Sequence, residues 1–187
     1  MKQSCLRSIE LKKIFPIACV FVSLVSSASV AGEPLTIIDR DGSVLAQYSA
    51  TDIGKAFPVT ELITTTPWTN DDKIKYSGVL VEDILKANKI EKSSVYKFIA
   101  TDDYVSDISG EDIEAFKPIV ATHIGCTESD FAKSICKEDQ KYRQLTDADR
   151  GPFYVVWPQE KLPTTPEEAN NHRWVWFLTG LQPKAQN

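Results

Sequence analysis

Aromatic residues next to charged residues are the features of this sequence that could do chemistry. Trp68 stands in T-T-P-W-T-N-D-D, Tyr104 follows two aspartates, and Arg173 directly precedes Trp174. A flat heterocycle stacks on an aromatic ring, a carboxylate accepts its N–H groups, and a guanidinium donates to a carbonyl or an anionic tail. The alternative is that the rings belong to the core and the charges form a solvated rim. The candidate site residues are Trp68, Asp102, Asp103, Tyr104, Arg150, Tyr154, Arg173 and Trp174.

The residue patterns of the common catalytic sites are missing from the sequence. It has two histidines, His123 and His172, and neither has the spacing of a metal site. There is no glycine-rich phosphate loop and no G-x-S-x-G motif. A single histidine in a β-rich domain more often packs or makes hydrogen bonds than binds a metal. We therefore predict no metal ion and assign no catalytic residue.

The four cysteines fall into two pairs along the chain. Cys5 and Cys19 lie in the N-terminal segment, whereas Cys126 and Cys136 stand in G-C-T-E-S-D-F-A-K-S-I-C. In an oxidising compartment the default interpretation of the second pair is a disulfide, which the chain-entropy model values at roughly 3 kcal/mol. A metal site is the alternative, and it would need ligands beyond the nearby His123.

The first 31 residues have the pattern of a secretory signal peptide. Basic residues at positions 2, 7, 12 and 13 precede an apolar run over 14–25, and S-S-A-S-V-A ends at Ala31. The run is too short for a membrane span, which needs roughly 20 residues. We predict cleavage after Ala31, with Ala28 as the other candidate, and a periplasmic or secreted protein. An uncleaved anchor and a lipoprotein attached at Cys19 are the alternatives.

The charge balance argues against two classes of partner. Basic and acidic residues number 21 and 26, and four of the basic residues and one acidic residue lie in the predicted signal. The remainder carries 17 basic against 25 acidic residues, so it lacks the cationic face that nucleic acids and anionic membranes require. The apolar share of 42% and the charged share of 25% are those of a globular protein. We predict a single domain over residues 32–187, with no nucleic-acid binding and no stable membrane insertion.

Short strand patterns with interleaved helices position the candidate residues. Two apolar runs flank R-D-G-S at 40–43, which predicts a hairpin, and S-G-E-D at 109–112 has the spacing of a helix start. A buried strand is predicted over 153–157, and the last strand of the domain is predicted over 174–181. The polar segment 125–149 is interpreted as a long loop joined by the predicted disulfide. Because strands dominate without a βαβ period, we predict an α+β fold of mainly antiparallel strands with short helices.

Five motifs follow one another between about residues 57 and 182. They are F-P-V-T-E-L-I-T-T-T-P-W-T, Y-S-G-V-L-V-E-D-I-L, T-D-D-Y-V-S-D-I, D-R-G-P-F-Y-V-V-W-P and H-R-W-V-W-F-L. In this order and spacing they resemble the small secreted relatives of the sulfite oxidase molybdopterin-binding domain. The resemblance implies an α+β fold of largely β character, with a pocket that takes a pterin.

The chain departs from the enzymes of this family at three points. In those enzymes a cysteine in the strand before a G-W or P-W step binds molybdenum through its thiolate, and residues 61–68 contain no cysteine. Tyr154 stands where oxidase-type members tend to carry arginine, and 125–149 replaces a tighter connection. The resemblance therefore implies a non-catalytic, pterin-binding protein, with molybdopterin the less favoured ligand. Such relatives are thought to act in the periplasm beside membrane-bound cyclic-di-GMP enzymes, relaying ligand occupancy to a sensor domain.

The resemblance also gives the candidate residues their expected roles at a pterin. Trp68, Tyr154 and Trp174 would stack on the pterin or form a wall of its pocket, and Tyr104 would line the pocket. Asp102 or Asp103 would accept from the N–H edge of the pterin. Arg150 and Arg173 would bind the ring carbonyl or the side-chain hydroxyls and phosphate. Two other functions stay open. One is a molybdenum-cofactor-dependent oxidoreductase with an unusual metal anchor, and the other is an interaction module that has kept the scaffold and lost the ligand.

Overall fold

The structure is a computed structural model that describes residues 32–90, 92–163 and 171–184. The chain divides into two units, Met1–Val30 and Ala31–Asn187, and every described residue belongs to the second unit. The predicted signal peptide over 1–31 lies outside the described residues.

Ten strands and four short helices form the described part of the chain. The strands are β1 (Leu35–Ile38), β2 (Val44–Tyr48), β3 (Val59–Thr64), β4 (Ile74–Leu80), β5 (Val95–Ala100), β6 (Val105–Ser109), β7 (Ile119–Gly125), β8 (Tyr142–Gln144), β9 (Tyr154–Val156) and β10 (Leu178–Pro183). The helices are α1 (Ile53–Ala56), α2 (Val81–Ala87), α3 (Gly110–Phe116) and α4 (Glu128–Ala132). Single turns of 3₁₀ helix lie at Asp147–Asp149, Gln159–Lys161 and Asn171–Arg173.

The strands form two five-stranded sheets. The first has the order β2-β1-β10-β5-β6, and the second has the order β3-β4-β7-β8, with β9 also paired to β7. Strands β1 and β10 pair in parallel, and the other strand pairs described are antiparallel. The predicted α+β class with mainly antiparallel strands and short helices is confirmed.

Local sequence explains several of these elements. The predicted hairpin joins β1 to β2, where Gly42 adopts a φ of +91° that glycine accepts without a Cβ penalty. In β5 the residues alternate between half-buried and buried, so Tyr96 and Phe98 point into the core on one face. The Ser109 side chain accepts a hydrogen bond from the Glu111 backbone N–H at 3.2 Å and begins α3 as predicted.

The core lies around β9, whose three residues are all buried. Trp157, just after this strand, is fully buried, and its Nε1 donates to the carbonyl oxygen of Arg173 at 2.7 Å. The buried strand predicted over 153–157 is therefore confirmed, with regular pairing at its middle three residues. This strand carries Tyr154 beneath the candidate site.

Three segments differ from the sequence predictions. The segment 125–149 contains α4 and β8 rather than loop alone, because three residues that pair with β7 are too few to produce a periodic pattern. The last strand begins at Leu178 and not at residue 174. Strand β4 was missed because its sequence contains Gly78, which disfavours a strand. Glycine is required there, since a Cβ would lie 2.1 Å from the Val120 carbonyl oxygen.

Candidate functional site

A cavity of about 280 Å³ is lined mainly by aromatic side chains. Its walls come from the turn after β3, the β5–β6 connection, and the segment that leads into β10. Its volume lies near the lower end of small-molecule sites, which run from about 300 Å³ upward. The lining residues are Trp68, Ala100, Asp102, Tyr104, Asn171, Trp174, Trp176 and Phe177.

Three indole rings form the aromatic part of this cavity. Trp68 meets Trp176 edge-on with ring centroids 4.7 Å apart, and meets Trp174 edge-on at 6.5 Å. Such T-shaped contacts place a positive ring edge against a negative ring face. Trp174 is almost fully buried, whereas Trp68 is 36% exposed. The site therefore has a fixed inner indole and an accessible outer one.

A threonine turn fixes the backbone at Trp68. The Thr66 hydroxyl accepts a hydrogen bond from the Trp68 backbone N–H at 3.3 Å. Thr69 closes the turn, because its hydroxyl accepts from the Thr66 N–H at 2.8 Å and donates to the Thr66 carbonyl at 3.1 Å. The T-T-P-W-T motif thus provides short side chains that satisfy a tight turn, and this turn presents the indole to the cavity.

The connection between β5 and β6 brings one carboxylate to the cavity. Asp102 lines it and accepts a hydrogen bond from the Tyr104 backbone N–H at 3.3 Å through Oδ1. Asp103 has a φ of +62° and does not belong to the lining residues. The Tyr104 ring is exposed and forms part of the rim. The sequence left two aspartates as alternatives, and the structure brings Asp102 to the cavity.

Arg150 lies over two of the indole rings. Its guanidinium carbon is 4.4 Å from the Trp176 ring centroid and 5.3 Å from that of Trp68, within the range of cation–π attraction. No salt bridge with a carboxylate is found for Arg150 among the described residues. Its backbone has a φ of +69°, and its carbonyl accepts a hydrogen bond from the Phe177 N–H at 3.1 Å. A planar cation is thus stacked on two indoles, and the described part of the chain gives it no salt-bridge partner.

Three buried polar atoms at this cluster, two of them indole nitrogens, make no hydrogen bond within the described ranges. The Nε1 atoms of Trp174 and Trp176 are buried and make no hydrogen bond within the described part of the chain. The Tyr154 hydroxyl faces Thr66 and Trp176 but makes no hydrogen bond of good geometry there. Burial raises the pKa of the Tyr154 hydroxyl, so it remains a neutral donor. Buried polar groups are normally satisfied, and a polar ligand or ordered water at this place would complete the hydrogen bonding that the described residues leave open.

A second cavity of about 590 Å³ adjoins the first and shares Asp102 and Phe177 with it. It carries three carboxylates, whereas its lining includes neither lysine nor arginine. Phe177, which has a φ of +48°, forms the wall between the two spaces. The lining residues are Gly32, Glu33, Thr101, Asp102, Asp147, Gly151, Pro152, Phe177, Leu178 and Thr179.

Arg173 lies apart from both cavities. Its guanidinium pairs with the Asp112 carboxylate of α3 and lies 5.5 Å from the Trp157 ring centroid. Of the predicted site residues, four line the first cavity and two contact its lining through their side chains. The four are Trp68, Asp102, Tyr104 and Trp174, and the two are Arg150 and Tyr154. Arg173 does not line this cavity, and Asp103 contacts the lining through its backbone N–H, which donates to the Ala100 carbonyl oxygen at 3.2 Å.

Sequence reasoning did not assign four further lining residues, Ala100, Asn171, Trp176 and Phe177. A signal for Trp176 was present, because residues two apart in an extended segment face the same side, and W-V-W places Trp176 beside Trp174. Nothing in the sequence indicated Phe177, whose left-handed backbone is unusual for an aromatic residue.

The predicted Cys126–Cys136 disulfide is confirmed, with the two Cα atoms 6.2 Å apart. These are the cysteines of the described ranges, so that part of the chain offers no free thiolate. It also holds no cluster of three His, Cys, Asp or Glu side chains suited to a metal ion. The described residues therefore do not fit a thiolate-anchored molybdenum centre.

The comparisons with known proteins add no family. No protein-family model matches the chain, and a search of curated proteins gives no significant match. The described helices include none that is long and apolar enough to span a membrane.

Proposed function

We propose that this chain is a pterin-binding protein of the periplasm or another extracytoplasmic space, and that it binds its ligand without catalysis. The observation that carries the proposal is the indole-lined cavity of about 280 Å³, with Asp102 at its edge and Arg150 stacked on two of its rings. A pterin is a flat bicyclic heterocycle with N–H donors on one edge and a carbonyl acceptor. The cavity offers a counterpart for each of these groups.

Trp68 is the expected stacking platform because it is the accessible indole of the site. Stacking of a nucleobase on an aromatic side chain contributes about 1–3 kcal/mol, and a pterin ring has a similar face. The Asp102 carboxylate would accept from the N–H edge of the ring. The unsatisfied Nε1 of Trp174 or Trp176 would donate to a ring acceptor, which removes the desolvation cost of a buried donor.

The proposal also includes a signalling role, in which the protein relays its ligand occupancy to the sensor domain of a membrane-bound cyclic-di-GMP enzyme. It rests on the resemblance of the five motifs to small secreted pterin-binding relatives. Residues 61–68 contain no cysteine, and both cysteines of the described ranges are in a disulfide, which favours a binding role over the oxidoreductase alternative. The exposed Trp68 and Tyr104 rings, at the rim of the cavity, are where a partner would distinguish the filled from the empty state.

The test is to express the protein with its own N-terminal segment, purify it from the periplasm, and denature it. The released small molecules are identified by fluorescence and mass, and molybdenum is measured on the same sample. We expect a pterin without stoichiometric molybdenum. Stoichiometric molybdenum would overturn the non-catalytic role, and release of no pterin, together with no binding of added pterins, would overturn the ligand.

A pair of variants ties the released ligand to the cavity. Trp68→Ala removes the accessible indole and is expected to lower the bound pterin at least fivefold. Val44→Ala is the control, because this apolar side chain is 59% exposed, belongs to β2 and lines neither cavity. Equal pterin content in the two variants would place the ligand elsewhere on the protein.

A further inference from the structure

A partly buried arginine connects two acidic residues between the disulfide and the candidate site. Arg143 of β8 donates through Nε to Asp130 Oδ1 at 3.1 Å. It also donates through both terminal nitrogens to the Asp149 carboxylate, at 2.6 and 3.0 Å. The Arg143 side chain is 17% exposed, so this is a largely desolvated, partly bidentate ion cluster rather than a surface pair.

One end of this cluster is attached to the disulfide. The Asp130 backbone carbonyl accepts hydrogen bonds from the N–H groups of Ile135 and Cys136, at 2.9 and 3.2 Å. The Asp130 carboxylate also accepts from the backbone N–H and the hydroxyl of Thr127, the residue after Cys126, both at 2.8 Å. Asp130 is therefore held by hydrogen bonds at both ends of the disulfide loop: by Thr127 next to Cys126, and by the N–H groups of Ile135 and Cys136. Helix α4 has five residues and is too short to persist without such tertiary support.

The other end of the cluster positions Arg150. Asp149 Oδ2 accepts from the backbone N–H and hydroxyl of Thr146, at 3.0 and 2.6 Å, which closes a one-turn 3₁₀ helix over 147–149. Arg150 follows at once, in the left-handed conformation, as the residue that ends this turn. A left-handed arginine needs a surrounding structure that fixes it. Asp149, held by Arg143, supplies that support.

We propose that the Cys126–Cys136 disulfide controls ligand affinity at the indole cavity through Asp130, Arg143 and Asp149, with Arg143 as the positioning residue for Arg150. This inference rests on the proposed pterin site and adds its regulation. In the oxidised protein the cluster holds Arg150 over Trp68 and Trp176. In the reduced protein Asp130 is released, Arg143 loses one carboxylate, and the turn that presents Arg150 loosens.

The redox step is a two-electron thiol–disulfide exchange with an external dithiol. A thiolate of the dithiol attacks the Cys126 sulfur, because Cys126 is half-buried whereas Cys136 is buried, and the S–S bond breaks with Cys136 leaving as a thiolate. The second thiol of the reagent then attacks the mixed disulfide and releases Cys126. The reagent ends as a disulfide, and the protein gains two electrons and two protons.

The experiment compares the wild-type chain with Arg143→Gln, each oxidised and each reduced with dithiothreitol and alkylated. Near-UV circular dichroism reports on the packing of the indoles, far-UV circular dichroism reports on the fold, and titration with biopterin gives the Kd. Reduction of the wild type is expected to weaken binding about tenfold, within the 5- to 150-fold range of coupled sites, and to change the near-UV bands. Oxidised Arg143→Gln is expected to bind weakly already, with less than a twofold further effect of reduction. Asp107→Asn, which removes only a half-exposed pair with Lys184, is the control and keeps the wild-type response.

The outcomes separate this inference from the proposed function. If reduction changes neither the near-UV bands nor the Kd of the wild type, or acts equally on Arg143→Gln, the coupling route is wrong. If reduction unfolds the wild type, the proposal is tested on the oxidised Arg143→Gln variant alone. Near-UV bands and a Kd equal to those of the oxidised wild type would then overturn the proposal. If biopterin and related pterins bind in no state, the proposed ligand fails, while the near-UV comparison still tests the control of the indole cluster by the disulfide.

Discussion

Substitution of Arg150 by alanine or glycine separates its role at the site from the strain of its backbone. The guanidinium makes two cation–π contacts, 4.4 and 5.3 Å from the indole centroids, each with a value of about 0.5–1 kcal/mol at a partly exposed site. Arg150→Ala loses both contacts and keeps the left-handed backbone with its φ of +69°. We therefore expect Arg150→Ala to lower the free energy of unfolding by about 1–2 kcal/mol.

Arg150→Gly loses the same contacts but removes the backbone strain. A left-handed conformation costs a residue with a Cβ about 1–2 kcal/mol. Glycine also has a greater conformational entropy in the unfolded chain, which reduces the stabilisation from relieved strain by about 0.4–1 kcal/mol. We expect Arg150→Gly to be more stable than Arg150→Ala by roughly 0.5–1 kcal/mol, or about 1–4 °C in Tm for a domain of this size.

The two variants are compared by urea unfolding and by pterin titration monitored through tryptophan fluorescence. Both are expected to bind at least tenfold more weakly than the wild type, because both lack the cation. Lys92→Ala, which removes an exposed pair with Glu114, is the control and stays within about 0.5 kcal/mol of the wild type. Equal stability of the glycine and alanine variants would refute the strain argument, and wild-type affinity in either would remove Arg150 from the site.

Three further predictions concern charge and close packing. Burial would raise the pKa of Asp149, but hydrogen bonds from its neighbours outweigh this and lower it from 3.8 to about 2. The ionised Asp149 carboxylate therefore stabilises the fold above about pH 4, and this stabilisation of roughly 2 kcal/mol is lost as the pH falls toward about 2. In Asp149→Asn the free energy of unfolding is expected to change less over this pH range, as an acid-unfolding curve would show. Gly78→Ala is expected to cost about 3 kcal/mol or to prevent folding, because the new Cβ would meet the Val120 carbonyl at 2.1 Å, as a thermal melt would show. Arg173→Ala leaves Asp112 without its cation and is expected to destabilise the fold by roughly 2 kcal/mol in urea, and the Kd of the same variant tests its predicted role at the ligand.

The fold class could be predicted from the sequence because most of its elements are locally encoded. The R-D-G-S turn, the Ser109 helix start and the apolar run before Pro158 each specify their conformation within a few residues. Strands β4 and β8 could not be predicted in this way. Gly78 in β4 is there because β7 passes close to it, and β8 exists because it pairs with β7, so both depend on residues distant in sequence.

The candidate site was predictable as a set of residue types but not as an arrangement. Trp68, Asp102 and Trp174 converge from three segments, and no local pattern tells which of two adjacent aspartates faces inward. The contact of Arg150 with the indoles was not predicted, because a guanidinium in D-R-G-P is compatible with a salt bridge as well as with an indole stack. Arg173 instead forms a salt bridge, because α3 provides Asp112 as its partner.

Three of the nine non-glycine residues with positive φ in the described ranges lie at the proposed site. Non-glycine residues with positive φ include Asp103, Arg150 and Phe177, at +62°, +69° and +48°, and these border the indole cavity or contact its lining residues. Each costs of order 1–3 kcal/mol and persists only where the surrounding structure over-determines it. At Arg150 the source of that restraint is identifiable, because Asp149 is fixed by Arg143, and Arg143 by the disulfide-supported Asp130. No salt bridge of Arg150 is found among the described residues, so at the proposed ligand site its guanidinium would be a cation already in position over two indoles.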